Sequence, residues 1–77
     1  KHLLVTGTFP EIPRERIIQY IVANGGIYAS GITKKLDYLV VGDNPGPTKL
    51  EKAKKLGVRQ ISLKELQDIV GEPLQNF

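Results

Sequence analysis

The sequence predicts an α/β domain built on a mainly parallel sheet, and three observations carry that prediction. Short, wholly apolar runs at Leu3-Leu4-Val5 and Tyr38-Leu39-Val40-Val41 suit strands covered on both faces. Amphipathic stretches with helix start and stop signals lie between and after them. The resulting order, βαββαβα, is one that right-handed crossovers fold into a parallel sheet with helices on both faces.

Each element has its own justification. Leu3-Leu4-Val5 is the first strand, ended by Gly7 and Pro10. Pro13 suits the first position of a helix, and Ile17, Tyr20, Ile21 and Asn24 share one helical face before Gly25-Gly26 stop the turn. Helix one is therefore expected from Pro13 to Asn24. Ile18 and Val22 add a second apolar face, read as a broad buried stripe with a contact surface as the sharper alternative. Ile27-Tyr28-Ala29 is a short second strand, and Ser30-Gly31 with Lys34-Lys35 mark a polar connection to the third, Tyr38 to Val41. Gly42-Asp43-Asn44-Pro45-Gly46-Pro47 is a loop. Thr48 with Glu51, and Ser62 with Glu65, fit the capping box in which a hydroxyl and a carboxylate satisfy amides at a helix start. Helix two then spans Lys49 to Leu56 and stops at Gly57, Arg59-Gln60-Ile61 is the fourth strand, and helix three spans Leu63 to Val70. Residues 1–71 form the domain, and Glu72 to Phe77 a loosely held tail.

A chain of 77 residues makes one small domain, and such a chain buries only about 60% of its unfolded surface. It has no cysteine, which excludes disulfides, thiolate metal sites and a cysteine nucleophile, and suits an intracellular origin. No run approaches the roughly 20 apolar residues of a membrane span, so no membrane partner is expected. The start at Lys1 points to a module of a longer protein. The net charge of +3 leans towards anionic partners.

The residues also suggest where an anion would sit. A helix start has unpaired amides and about half a positive charge, so a cation in its first turn is unfavourable by about 0.3–1 kcal/mol unless an anion is present. Lys49 occupies such a place, with Lys52 and Lys55 following at three-residue intervals, and Arg14 repeats the anomaly at helix one. Thr6 and Gly7 offer a hydroxyl and an amide at the end of strand one, where parallel sheets place their ligands. In the plainer reading Thr6-Gly7 only turns the chain, Thr48 only caps, the lysines form a solvated face, and Glu15 and Glu51 neutralise the two helix starts.

Four phrases in order resemble the BRCT family: Thr6-Gly7 after strand one, Gly25-Gly26 closing helix one, Lys34-Lys35-Leu36-Asp37-Tyr38-Leu39-Val40, and Lys49-Leu50-Glu51-Lys52-Ala53-Lys54-Lys55-Leu56-Gly57. The resemblance covers nearly the whole chain. It is strongest to the subgroup in bacterial NAD-dependent DNA ligases, the large subunit of replication factor C and DNA polymerase III epsilon-like exonucleases. It implies a four-stranded parallel sheet ordered 2-1-3-4, with helices one and three on one face and helix two on the other. Many family members carry a tryptophan early in the last helix, whereas this chain reads Lys64-Glu65-Leu66, which favours that subgroup over tandem phosphopeptide readers. The loop Gly42 to Thr48 is one residue longer than the ligase-like Gly-Glu-Asn-Pro-Gly-Ser, which leaves the parent protein open.

By the same resemblance, Thr6, Gly7 and Lys49 match the hydroxyl, amide and lysine of the family's phosphate pocket. Arg14 and Lys52 match positions that help hold a 5′-phosphorylated DNA end. The implied function is a non-catalytic module of a replication or repair protein, of DNA ligase, clamp loader or exonuclease type, that binds DNA at a 5′-phosphate of an end or nick. The alternative is a module that docks on a protein or phosphopeptide. The expected location is the bacterial cytoplasm or a eukaryotic nucleus. Neither cofactor nor metal is expected: His2 is the only histidine, and Gly42 to Lys49 falls short of the P-loop spacing. Asp37 and Asp43 suit capping and turn roles, and Tyr20, Tyr28 and Tyr38 suit packing. About three phosphate contacts would give a log–log salt slope near −3, and a steeper slope a larger footprint.

Overall fold

The computed structural model describes residues 1–74. Its strands are β1 (His2–Thr6), β2 (Ile27–Tyr28), β3 (Tyr38–Val41) and β4 (Arg59–Ile61), and its helices α1 (Arg14–Ala23), α2 (Pro47–Leu56) and α3 (Leu63–Val70). All strand pairs are parallel, in the order β2-β1-β3-β4. The fold class, element order and sheet order are those expected.

Strand alternation divides the core into two layers. Leu3 and Val5 of β1, with Val40 and Ile61, meet Ile17, Tyr20 and Ile21 of α1 and Leu66 of α3. Leu4 and Leu39 point the other way and pack with Ala53 of α2, and with Ile32, Leu36 and Val58. Leu39 and Val40 are both fully buried, one in each layer. Burying a side chain of this size contributes about 1.5–3 kcal/mol, so the apolar run of β3 serves both faces of the sheet.

Helix boundaries show where local signals gave way. Pro13 is extended, with ψ of 144°, and precedes α1 instead of opening it. Helix two begins at Pro47, two residues earlier than expected, with Gly46 at its cap and no side-chain capping bond. The Thr48–Glu51 box is therefore not formed, because proline fits the first helical position without losing an amide partner and draws Thr48 inside the helix. The Ser62–Glu65 box is present: Glu65 N donates to Ser62 Oγ at 3.1 Å, and Ser62 N to Glu65 Oε1 at 3.3 Å. Val22 is 56% exposed, so α1 does not bury a broad stripe.

The described start of the expected tail, Glu72 to Leu74, is held more firmly than its composition suggests. Tyr20 Oη donates to the Glu72 carbonyl, Leu74 N donates to Gln67 Oε1 at 2.8 Å, and Leu74 packs on the α1–α3 core. Residues 75–77 lie outside the described part. At the other end, His2 N donates to Asp37 Oδ2 at 2.7 Å, and Asp37 N returns a bond to the His2 carbonyl at 2.8 Å. Asp37 thereby ties the start of β1 to the start of β3.

Two measurements follow from these ties. Ser62→Ala is expected to lower unfolding stability by about 1 kcal/mol, and Thr48→Ala to leave it within about 0.5 kcal/mol, in urea denaturation. Burial, reinforced by the Glu72 carboxylate, raises the Tyr20 phenol above its ordinary value of 10.0. The fold then favours the neutral phenol, so this contribution is intact below pH 10 and is lost as pH climbs towards the folded value. Tyr20→Phe should cost about 0.5–1.5 kcal/mol at neutral pH and flatten the alkaline fall in stability.

Candidate phosphate-binding site

In a parallel sheet the loops that follow neighbouring strands leave from the same edge, and here the loops after β1 and β3 cross. Thr8 N donates to the Asp43 carbonyl and Asp43 N to the Thr8 carbonyl, both at 2.8 Å, closing a small antiparallel bridge. The Thr8 hydroxyl adds a third bond to the same Asp43 oxygen at 3.2 Å. Two glycines permit this approach. Gly7 has φ of 85°, and a Cβ there would sit 2.8 Å from the Asp43 carbonyl oxygen. A Cβ on Gly42 would lie 2.5 Å from the Thr8 carbonyl and 2.8 Å from the Phe9 ring.

This crossing sets the place of the expected site residues. Thr6 ends β1 opposite Val41, and it is 3% exposed, the single buried polar residue among those described. By alternation its side chain shares the sheet face of Leu4, the face that α2 covers. Arg14, the first residue of α1, folds back so that Nη2 donates to the Gly7 carbonyl at 2.8 Å. Thr6, Gly7 and Arg14 are thus brought together at one end of β1.

The lysines divide. Lys49 is the third residue of α2 and lies at the i, i+4, i+7 positions shared with buried Ala53 and half-buried Leu56. It therefore extends the sheet-facing stripe of α2, yet is exposed, at the end nearest the strand termini. Lys52 instead lines a shallow depression with Thr48, Glu51, Lys54 and Lys55 on the outer flank of the helix. The expected row Lys49-Lys52-Lys55 splits because three residues turn a helix by about 300°, so each step drifts by about 60°. No hydrogen bond joins Lys49 or Lys52 to Thr6, Gly7 or Arg14 among the described residues.

The two helix starts differ electrostatically. Glu15 lies in the first turn of α1, whereas the first turn of α2 holds no acidic residue. Because α2 begins at Pro47, Glu51 is its fifth residue and stands beyond that turn. The Thr8–Asp43 lock was missed in the sequence, although it left a signal: each apolar strand is followed by glycine and then a polar residue, Gly7-Thr8 and Gly42-Asp43. Among the described residues there is no group of three or more His, Asp or Glu side chains placed to hold a metal ion. Nor, among those residues, is any helix long and apolar enough to cross a membrane.

A family model, the BRCA1 C Terminus (BRCT) domain, matches residues 1–70. The chain belongs to the BRCT family. Similar relatives include the DNA ligase of Cytophaga hutchinsonii, 47% identical over 80% of this chain and 9% of that protein. The DNA ligase of Bdellovibrio bacteriovorus is 48% identical over 87% of this chain and 10% of its own length. The chain thus spans about a tenth of the length of the curated relatives it matches. Among solved structures, the C-terminal BRCT domain of human XRCC1 has a TM-score of 0.69 and 16% identity, covering 99% of this chain and 82% of that one. The second XRCC1 BRCT domain gives 0.70 and 18%, with coverages of 99% and 80%. At those identities the likeness is one of fold.

The crossing is open to a direct test. Gly7→Ala, and separately Gly42→Ala, should each lower stability by roughly 1–3 kcal/mol in chemical denaturation. Gly46→Ala, where φ is −66° and a Cβ meets nothing within 4 Å, should change it by less than about 0.5 kcal/mol. Equal effects at all three positions would remove the special role of the lock.

Proposed function

We propose that this BRCT domain is a non-catalytic DNA-binding module of a replication or repair enzyme, and that it recognises a phosphate, chiefly the 5′-phosphate of a DNA end or nick. The observation that carries the reading is the gathering of Thr6, Gly7 and Arg14 at the end of β1, on the edge where α2 begins. Lys49, in a first turn without a carboxylate, is the cation an incoming phosphate would relieve. Arg14 spends one donor on the Gly7 carbonyl, and a guanidinium has five, so the anchored fork retains donors for phosphate oxygens. Lys52 stands one turn further along α2 and serves as an outer phosphate contact.

The ligase relatives favour DNA over a phosphopeptide as the ligand and a DNA ligase as the parent enzyme. In such a parent the module would work inside the cell, holding the catalytic domains near a nick. A phosphate-led site reads the backbone and leaves base sequence largely unread.

The test is an NMR titration of the 77-residue chain with two short duplexes that differ only in a 5′-phosphate on a recessed end. Phosphate-dependent shifts are expected at Thr6, Gly7, Arg14 and Lys49 to Lys52. Thr6→Val and Lys49→Ala should each weaken the phosphorylated duplex by roughly tenfold, the scale of a lost hydrogen bond to a charged group. Identical shifts with both duplexes, or none with either, would transfer the reading to protein docking.

A further inference from the structure

Basic charge in this domain is gathered on one side of the sheet. The connection between β2 and β3 belongs to the α2 layer, because Ile32 and Leu36 pack there with Leu4, Leu39 and Ala53. That connection carries Lys34 and Lys35, and α2 carries Lys49, Lys52, Lys54 and Lys55, all exposed. Against them stand two carboxylates, Glu51 on α2 and Asp37 at the end of the connection. The opposite helices are balanced in number, α1 and α3 together carrying Arg14, Arg16 and Lys64 against Glu15, Glu65 and Asp68. With six lysines against Glu51 and Asp37, α2 and the connection carry a net +4, more than the +3 of the whole chain.

The arrangement carries its own strain. None of the α2 lysines is paired with a carboxylate among the described residues. Like charges three or four residues apart cost an isolated helix roughly 0.2–0.5 kcal/mol a pair, as at Lys49/Lys52 and Lys52/Lys55, and Lys52, Lys54 and Lys55 border one depression of about 540 Å³ in which Glu51 is the single carboxylate. A polyanion laid over this face removes that repulsion and gains counterion release. Among the described residues, the exposed large apolar ones are Val22, Ile27 and Ile69; all lie off α2, and none is aromatic. The face thus lacks both a stacking platform for unpaired bases and an apolar centre for a folded protein partner.

We infer that the α2 face, with Lys34, Lys35, Lys54 and Lys55 beyond the phosphate site, is a docking surface for the backbone of double-stranded nucleic acid. The inference rests on the phosphate reading above and extends it. The duplex runs from the site at the end of β1 across α2 and the Lys34–Lys35 connection, and the α1–α3 layer faces away.

The experiment measures binding of the 77-residue chain to a 5′-phosphorylated duplex by fluorescence anisotropy between 50 and 200 mM salt. The phosphate site alone gives a log–log slope near −3, and four further lysines bring it to about −6. Lys34→Gln with Lys35→Gln, and Lys54→Gln with Lys55→Gln, should each reduce the slope by about 2 while leaving the preference for a phosphorylated end intact. Arg59→Gln with Lys64→Gln, away from this face, should leave the slope unchanged. A slope near −3 that neither lysine pair alters would overturn the inference. Equal binding of single-stranded DNA, or full displacement of duplex by polyglutamate of matched charge, would also overturn it. Loss of the 5′-phosphate preference with the steep slope retained would instead remove the phosphate site.

Discussion

Everything in this domain depends on β1 being covered on both faces. A five-residue strand flanked by parallel neighbours has no solvated side, so each residue from Leu3 to Thr6 must find a buried environment. Alternation sends Leu3 and Val5 towards α1 and α3, and Leu4 and Thr6 towards α2. The last of these is the telling one. A threonine is buried at the strand terminus, on the face covered by the helix that carries Lys49, for the same geometric reason that Leu4 is buried in the core. The site chemistry and the packing are consequences of one alternation.

Parallel pairing then concentrates the polar chemistry at a single edge. Both helices that follow β1 and β3 begin there, and their amide ends point towards it. The two starts are handled differently. Arg14 is anchored to the Gly7 carbonyl and has Glu15 beside it, so the α1 start is internally balanced. The α2 start has Lys49 and no acid, so it stays electropositive. That difference gives the edge a direction, from a fixed guanidinium to a free ammonium.

Much of this was legible in the sequence. Fully apolar runs marked β1 and β3, because strands buried on both faces leave no room for polar alternation, and Ser62 with Glu65 marked α3. The same pattern misled at Thr48 and Glu51, since Pro47 is a better first residue than Thr48 is a cap. Periodicity placed Lys49 and Lys52 on one helix but overstated their convergence, because direction along a helix rotates as the chain advances. Contacts between distant segments left no periodic trace. The Thr8–Asp43 bridge spans 35 residues, and the Tyr20–Glu72 bond spans 52. The first shapes the site, and the second fastens residues that composition alone assigns to a loose tail.

The glycine-mediated crossing has one more consequence, which concerns entropy. A loop that becomes ordered only when its ligand arrives loses about 1–2 kcal/mol of backbone freedom for each residue fixed, and binding is weakened accordingly. Gly7 and Thr8 are already held against Gly42 and Asp43 when the chain folds. That ordering cost therefore belongs to folding, and it is shared across a cooperative domain. Any ligand meeting this edge would encounter a surface with little disorder left to lose, so the few side chains of the proposed site would not have to repay that cost on binding.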